Sequence, residues 1–424
     1  MLTLKQIKEQ TQEVIQKLAV KYYNAESAIN KVLQLDERRR AAQTSLDQNL
    51  AESKLLAKEI GMLLKQGKTE EADIAKQKTA ELKELARELM REHHMAESEM
   101  NDLLTQIPNI PHESVPLGRH AEDNVEIRTG GVIPQLPAGS LPHWDLAKKY
   151  DIIDFEMGVK LTGAGFPVYK SKGARLQRAL INFFLDQARE AGYAEVMPPI
   201  MVNEDSGFGT GQLPDKEGQM YNVLSDGLYL IPTAEVPVTN MYRDVILDET
   251  DFPIKNTAYT PCFRREAGSY GKDVKGLNRL HQFDKVEIVQ ISHPDVSYQA
   301  LDGMVAYVES LIQKLGLPYR IIRLCGGDMS FTSALTYDFE VWSAGQERWL
   351  EVSSVSNFEA YQANRLKLRF KSKDGKATQL AHTLNGSALA LPRIVAAMLE
   401  NYQTEKGIRL PDVLIPYAGF EYID

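Results

Sequence analysis

The chain is expected to be an α+β protein, with an N-terminal antiparallel α-helical coiled-coil arm and a second domain built on an antiparallel β-sheet flanked by helices. Three observations carry that expectation. From Ala28 to Leu104 there is no proline, and Ala, Leu, Glu, Lys, Gln and Arg dominate; these are strong helix formers. A proline-rich segment closes this region. Beyond it, helix-period segments alternate with short β-rich runs. Several runs follow one another without a helix between them, which favours antiparallel pairing over βαβ units.

The arm comes first. A 3-4 spacing runs through Val32, Leu35, Arg39, Ala42, Leu46, Asn49, Ser53, Leu56, Ile60 and Leu63, an a/d seam with polar members. Gln66-Gly67-Lys68-Thr69 breaks it, and a second seam follows at Leu82, Leu85, Leu89, Ala96 and Leu103. Two long helices joined by so short a turn pack antiparallel, and each reaches on the order of 50 Å. A coiled-coil spacer has the same pattern, but the tight hairpin favours a protruding arm over a dimerising rod. Lys31, Arg38, Arg39, Arg40, Lys54, Lys58 and Lys65 punctuate it, interleaved with acids.

Ile107-Pro-Asn-Ile-Pro-His-Glu-Ser-Val-Pro-Leu-Gly118 cannot continue a helix. The expected boundaries are residues 1–108 for the N-terminal domain, with its hairpin at about 28–104, 109–135 for a linker, and 136–424 for the second domain. Within the latter, residues 174–191, 296–315 and 394–403 have helical period. Residues 256–260, 285–291, 337–342 and 349–353 read as strands. Neither G-x-G-x-x-G nor G-x-x-x-x-G-K-[ST] occurs, so Rossmann and P-loop readings lose their main support.

At 424 residues the chain can hold two or three domains. Its net charge of -9 opposes non-specific phosphate binding, so a nucleic-acid role needs local basic patches. Cys262 and Cys325 are the only cysteines; two make neither a disulfide framework nor a zinc-ligand set. No zinc is expected. No apolar run approaches the ~20 residues of a membrane span, and the N-terminus lacks a signal-peptide apolar region. No membrane association is expected, and a reducing cytoplasm is the simplest compartment.

Four segments carry chemistry. Cys262 to Glu287 reads as strand, loop, strand, with Gly268, Gly271 and Gly276 among Arg264, Arg265, Lys272, Lys275 and Arg279. Glycines permit close backbone approach, and guanidinium forks suit phosphate and carboxylate oxygens; a solvated loop is the competing view. Leu384 to Ile394 reads as a small-residue entry into an apolar helix with Arg393 near its start. Glu351-Val-Ser-Ser354 places a carboxylate among hydroxyls, which would make a Mg²⁺ shell when a triphosphate supplies further oxygens; taken alone, a satisfied surface strand end is the favoured view. Thr233-Ala234-Glu235 could bind a small ammonium, or simply cap a helix. His281 and His382 sit beside no Ser or Cys with triad logic and read as structural or orienting.

In combination these segments are specific. The strand-loop-strand with Phe263-Arg-Arg-Glu266 resembles motif 2 (about 256–291) of class II aminoacyl-tRNA synthetases. The Arg393 segment resembles motif 3 (about 382–403), and Gly192-Tyr-Ala-Glu-Val-Met-Pro198-Pro199 with the preceding helix resembles motif 1 (about 174–200), the dimer element. Thr233-Ala-Glu235, His281-Gln-Phe-Asp-Lys-Val-Glu287, Glu351-Val-Ser-Ser354 and His382-Thr-Leu-Asn-Gly-Ser387 resemble the seryl-tRNA synthetase family of bacterial type, over essentially the whole chain.

The resemblance implies a serine--tRNA ligase acting as a homodimer. Arg264 would hold the α-phosphate and the serine carboxylate, and with Arg393 it would carry catalysis. Arg265, Glu266, Arg279, Leu280, Phe283, Glu351, Val352, Ser353, Ser354 and Arg393 would complete the ATP site. Within it Glu266 would meet the adenine amino group and Phe283 the adenine ring. Glu351 and Ser354 would bind Mg²⁺ with ATP. Thr233, Ala234, Glu235, Glu287, Asn385 and Ser387 would line the serine pocket. The arm would grip the long variable region of tRNA(Ser), and of tRNA(Sec), through Lys31, Arg38, Arg39, Arg40, Lys54 and Lys58. About 30 residues follow Arg393, fewer than the roughly 50 of a small domain, so no C-terminal anticodon-binding domain is expected. Val355, Phe358, Ala360 and Asn364 depart from the family's usual Cys, Cys, Asp and Arg, and Ala388 stands where glycine is common. Competing readings are a paralogue that loads an amino acid onto a non-tRNA acceptor, and a coiled-coil interaction protein.

Overall fold

The computed structural model describes residues 1–215, 218–266, 275–373, 375 and 377–424. The chain divides into two compact units. One comprises Leu2–Ala19 and Tyr23–Pro108; the other comprises Met1, Val20–Tyr22 and Asn109–Asp424.

The first unit is all helical: α1 (Leu4–Glu9), α2 (Thr11–Leu18), α3 (Glu26–Lys65) and α4 (Thr69–Gln106). Helices α3 and α4 form the hairpin, about the turn at Gln66–Lys68. The 40 residues of α3 correspond to roughly 60 Å at 1.5 Å per residue. Burial follows the 3-4 spacing at Val32, Leu35, Ala42, Leu46 and Asn49, and in α4 at Ala72, Ala75, Leu82, Ala86, Ala96, Met100 and Leu104. Leu85 departs from the expected seam and is 45% exposed. The α4 stripe steps from Leu82 to Ala86, because 3.6 residues per turn drifts from a strict heptad. Asp36 is buried beneath Lys8, Arg39 and Arg40. Burial raises its carboxyl, but hydrogen bonds from Lys8 and Arg39 outweigh that and hold it below the ordinary value.

The second unit is built on an eight-stranded sheet: β1 (Val125–Gly130), β2 (Ala194–Glu195), β3 (Ile254–Phe263), β4 (Gln282–Ser292), β5 (Tyr319–Arg323), β6 (Leu335–Ser343), β7 (Arg348–Asn357) and β8 (His382–Ala390). Their spatial order is β1-β5-β6-β7-β8-β4-β3-β2. Neighbours are antiparallel except β3 and β2, which are parallel. Helices accompany it: α5 (His143–Lys149), α6 (Phe155–Leu161), α7 (Ser171–Glu190), α8 (Glu204–Thr210), α9 (Glu235–Asn240), α10 (Ser297–Leu315), α11 (Ala360–Leu366), α12 (Leu391–Asn401) and α13 (Ile415–Ala418).

Two expectations need correction. Residues 109–135 are more than a linker, since β1 lies within them and pairs with β5 as an edge strand. Asn109 Nδ2 also donates to the carbonyls of Thr332 and Phe358 at 2.9 and 2.8 Å. Residues 382–390 form a central strand between β7 and β4, and the helix begins only at Leu391. The small residues there serve strand packing. A Cβ on Gly386 would come within 2.9 Å of the Val355 side chain.

Paired residues share a face of a sheet, and faces alternate along each strand. One face presents Val286, Ile288, Phe339, Val341, Val355 and Leu384 to a core shared with α7, α10 and α12. Each such side chain contributes roughly 1.5–3 kcal/mol on burial. The opposite face is polar, and its far end is covered by Ala234, by α9 through Val238, and by α11 through Ala363 and Leu366.

Candidate active site

Register alone assembles the polar face. Glu287 pairs with Ser387, Phe283 with Cys262, Ser356 with Asn385, and Ser354 with Asp338. Phe283, Lys285 and Glu287 therefore point the same way as Asn385, Ser387 and Ser354. Glu351 joins them because of a bulge. Glu340 opposes Glu351 while Phe339 opposes Ser353, so Val352 is an extra residue and Glu351 turns to the face of Ser354.

At the β4/β8 end lies a buried polar pocket. Lys285 and Glu287 form an ion pair at 2.7 Å, with side chains 7% and 2% exposed. Thr233 Oγ1 donates to Glu287 Oε2 at 3.2 Å and accepts from the Glu235 amide at 3.2 Å. Glu235, the first residue of α9, accepts from Gln362 Nε2 at 2.7 Å, and Thr383 Oγ1 donates to Gln362 Oε1 at 2.6 Å. Burial, and then the charge of Glu287, push the Glu235 carboxyl up to about 7. Asn385 reaches toward Glu235, yet its buried Nδ2 has no well-formed partner among the described residues. Two carboxyls, one ammonium and a spare amide donor suit a small zwitterion with a further polar group.

The β3–β4 connection supplies cations beside this pocket. Arg264 lies with its guanidinium 5.3 Å from the Phe283 ring centre, and its Nε donates to Pro232 O at 3.4 Å. Glu266 and Arg279 pair across the base of the connection. Arg393, in the first turn of α12, donates through Nε to Asn278 O at 3.0 Å and through a terminal nitrogen to Glu351 O at 2.8 Å. Its guanidinium lies 3.7 Å from the Glu351 carboxylate. Gly268, Gly271 and Lys272, expected in this loop, lie outside the described residues.

Asp338 is a site residue that sequence reasoning missed. It is buried beside Glu351 and Ser354; burial and the Glu351 charge raise its carboxyl well above the ordinary value, against a hydrogen bond from Ser354. Its Oδ1 has no partner among the described residues. The signal was present in Asp338 and Glu340 alternating with Phe339 and Val341. Lys285 and Gln362 were missed as well: Lys285 pairs with Glu287 on its own strand, and Gln362 is visible only through its long-range partners. Glu351, Ser354 and Asp338 make an all-oxygen donor set, and the orphaned carboxylate oxygen fits a hard divalent cation.

Other expected residues are placed differently. The side chains of Leu280, Val352 and Ala234 are packed in cores, so only their backbones could serve a ligand. Ser353 lies on the opposite face and donates to Ser387 O at 2.6 Å. Arg265 is exposed. His281 bonds Tyr221 OH at 2.8 Å and stacks on Phe166. His382 bonds Ser297 Oγ at 2.8 Å, and burial lowers its pKa to about 4. His382 thus sits beside a serine, contrary to expectation, and both histidines are engaged by neighbouring hydroxyls. Val355 faces the core rather than the Glu351 side, and Asn364 donates to Met1 O at 2.9 Å. These two departures from the family pattern thus lie away from the oxygen cluster.

Comparison with known proteins shows the family to which the chain is similar. Residues 1–111 match the family model of the seryl-tRNA synthetase N-terminal domain. Residues 221–402 match that of the tRNA synthetase class II core domain (G, H, P, S and T). The serine--tRNA ligase of Salinibacter ruber is 50% identical over 424 residues, covering 100% of this chain and 99% of that protein. That of Akkermansia muciniphila is 47% identical, with 100% and 99% covered. The crystal structure of seryl-tRNA synthetase from Pyrococcus horikoshii complexed with ATP superposes with a TM-score of 0.92 at 34% identity, over 99% of both chains. Full-length relatives at this identity, together with a sheet face that gathers the motif residues, mean that the chain belongs to the seryl-tRNA synthetase family.

Proposed function

We propose that this chain activates L-serine with ATP and esterifies the serine to tRNA. The observation that carries the proposal is the buried cluster of Glu235, Glu287, Lys285 and Asn385 on the side of the sheet that also bears Arg264 and Glu351. The pocket carries net charge -1 when both glutamates are ionised, which the serine ammonium neutralises. Asn385 and Ser387 supply partners for its hydroxyl. A site that hydrogen-bonds a substrate hydroxyl rejects analogues lacking it by roughly 10⁴-fold or more, which disfavours alanine.

Arg264 is proposed to hold the serine carboxylate and the α-phosphate together. A carboxylate oxygen attacks the α-phosphorus, the bond to the bridging oxygen breaks, and pyrophosphate leaves with the electron pair. The carboxylate is already ionised at neutral pH, so the chain's task is alignment and charge stabilisation, given to Arg264, Arg279 and Arg393. Phe283 offers a face for the adenine, and Glu266 an acceptor for its amino group once Arg279 turns to phosphate. Glu351, Ser354 and Asp338 would hold Mg²⁺. That ion would supply further neutralisation of the phosphate oxygens. A terminal tRNA ribose hydroxyl then attacks the carbonyl carbon of seryl-adenylate, the bond from that carbon to the phosphate oxygen breaks, AMP leaves with the electron pair, and the hydroxyl proton is released.

The hairpin is proposed to present tRNA(Ser), and tRNA(Sec), by shape and by scattered cations. Lys31, Lys54 and Lys58 are exposed and make no ion pair among the described residues. Arg38 pairs with Glu92 at 2.7 Å, and Arg39 and Arg40 serve Asp36; the lysines are therefore the stronger candidates. Homodimerisation is supported by exposed apolar side chains at Met197, Val132 and Ile133 and on edge strand β1 at Val125 and Ile127, and equilibrium sedimentation tests it. No described helix is long and apolar enough to cross a membrane. Cytoplasmic action rests on the two unpaired cysteines, and fractionation of the source cell tests it.

The pocket reading has a pH signature. The Glu235 carboxyl holds its proton up to about pH 7 in the free protein, and only the ionised form pairs with the ammonium. The KM for serine should rise about fivefold from pH 7 to pH 6, while the KM for ATP stays level. Because the folded value lies above the unfolded one, stability of the free protein should fall as pH rises from about 4.5 to about 7. Glu235→Gln should flatten both profiles. A serine KM independent of pH between 6 and 8 would remove Glu235 from the ammonium site.

A further inference from the structure

The limb that returns from the β3–β4 loop, residues 275–281, carries Arg279 and leads into β4. It is gripped from below by a buried network that the activation step does not itself use. His143, the first residue of α5, and Glu400, near the end of α12, are both fully buried. His143 Nδ1 meets Glu400 Oε1 at 2.7 Å, and the Leu277 amide donates to His143 Nε2 at 2.8 Å. An amide N–H can only donate, so Nε2 accepts. The ring is therefore neutral, with its proton on Nδ1 and given to the carboxylate.

Glu400 is held as firmly. Its Oε1 also accepts from the His143 amide at 3.0 Å and from Gln346 Nε2 at 3.2 Å. Its Oε2 accepts from Ser343 Oγ, and from the Gly345 amide at 3.0 Å. A buried carboxylate with five donors is a fixed anchor. The limb is touched at each of four successive residues. Lys275 Nζ lies 4.3 Å from the Trp144 ring centre. Gly276, at φ +66, passes so close that a Cβ would sit 2.2 Å from His143 Nε2. Leu277 gives its amide to His143. Asn278 donates to Gln346 Oε1 at 2.8 Å and accepts from Arg393 Nε at 3.0 Å.

Helix α12 thus holds the limb twice. Arg393 binds Asn278 O directly, and Glu400, seven residues later and on nearly the same helix face, holds Leu277 through His143. We infer that His143 and Glu400 are positioning residues for the ATP phosphates, which fix the height of the return limb and so the place of Arg279 and Arg393. The inference rests on the proposed phosphate role of those arginines.

Removing Glu400 would strand five donors, so His143 is the residue to change. His143→Ala should raise the KM for ATP roughly tenfold, the factor expected for one lost buried hydrogen bond, and leave the serine KM within about twofold. His143→Gln, whose amide can donate to Glu400 and accept from Leu277, should restore much of the loss. Hydrogen exchange supplies a second readout. The Leu277 amide should exchange faster in His143→Ala while the Val289 amide of β4 stays protected. Unchanged ATP KM and unchanged Leu277 exchange would overturn the inference. So would a parallel rise in both KM values with a lowered melting temperature, which marks general destabilisation. Arg279→Ala separates the two levels of argument. If it leaves the ATP KM unchanged, the phosphate role of Arg279 fails and the inference with it. If it raises the ATP KM and His143→Ala does not, only the positioning inference fails.

Discussion

Replacing Arg264 with alanine should lower serine-dependent ATP–pyrophosphate exchange by roughly 10²- to 10³-fold, the scale for losing one preorganised charge donor at a reacting centre. The fold should survive. Among the described residues the Arg264 side chain makes one long hydrogen bond to Pro232 O and one contact with the Phe283 ring, and such cation–π contacts contribute about 0.5–1 kcal/mol when exposed. The melting temperature should therefore move by only about 3 °C. Arg264→Lys should recover little, because a point charge cannot bridge a carboxylate and a phosphate as a planar fork does. Exchange that continues at the parental rate in Arg264→Ala would mean that activation is arranged elsewhere on the sheet.

Deleting the hairpin separates the two half-reactions. Replacing Lys31–Leu104 by a short Gly/Ser turn should leave pyrophosphate exchange near the parental rate, since every residue assigned to activation lies in the second unit. Charging of serine tRNA should fall by roughly 10²-fold or more, equivalent to about 3 kcal/mol of lost tRNA binding. The coiled-coil interaction reading expects neither effect, and a paralogue serving a non-tRNA acceptor expects exchange to survive without any charging to lose. Equal charging by the shortened and the full chain would contradict the role proposed for the arm.

The readable parts of the sequence were those with local periodicity. The hairpin announces itself through proline-free, helix-forming composition and a 3-4 seam. Strands at 256–260, 285–291, 337–342 and 349–353 show β-branched and aromatic residues in short runs, and the structure extends each of them. Residues 382–390 were harder. Asn385, Gly386, Ser387 and Ala388 are poor strand formers, and no turn signal separates them from the helix at Leu391. Only their place between β7 and β4 explains the choice of small side chains. Strand β1 hides in a segment whose flanking prolines suggest a linker, and its pairing with β5 spans almost two hundred residues of sequence.

The site divides in the same way. Arg264, Glu287, Glu351, Asn385 and Ser387 were identifiable through motif resemblance. Their convergence follows from register and from the extra residue at Val352, neither of which a linear pattern contains. Gln362, His143 and Glu400 meet partners far along the chain, Asp338 lies across the sheet from Ser354, and Lys285 pairs with Glu287 only because alternate residues share a strand face. A buried carboxylate such as Glu400 has no local signature beyond sitting on an apolar helix. The lesson for Leu85 is smaller but similar, since heptad spacing alone cannot say which of two neighbouring positions the helix will turn inward.

The most direct test of the whole account is amino-acid-dependent ATP–pyrophosphate exchange with each of the twenty amino acids, with and without Mg²⁺. Exchange with serine alone, and only when Mg²⁺ is present, is the predicted result. It would tie the Glu235–Asn385 pocket and the Glu351–Ser354–Asp338 cluster to one reaction. Exchange with no amino acid, or equal exchange with alanine, would contradict it.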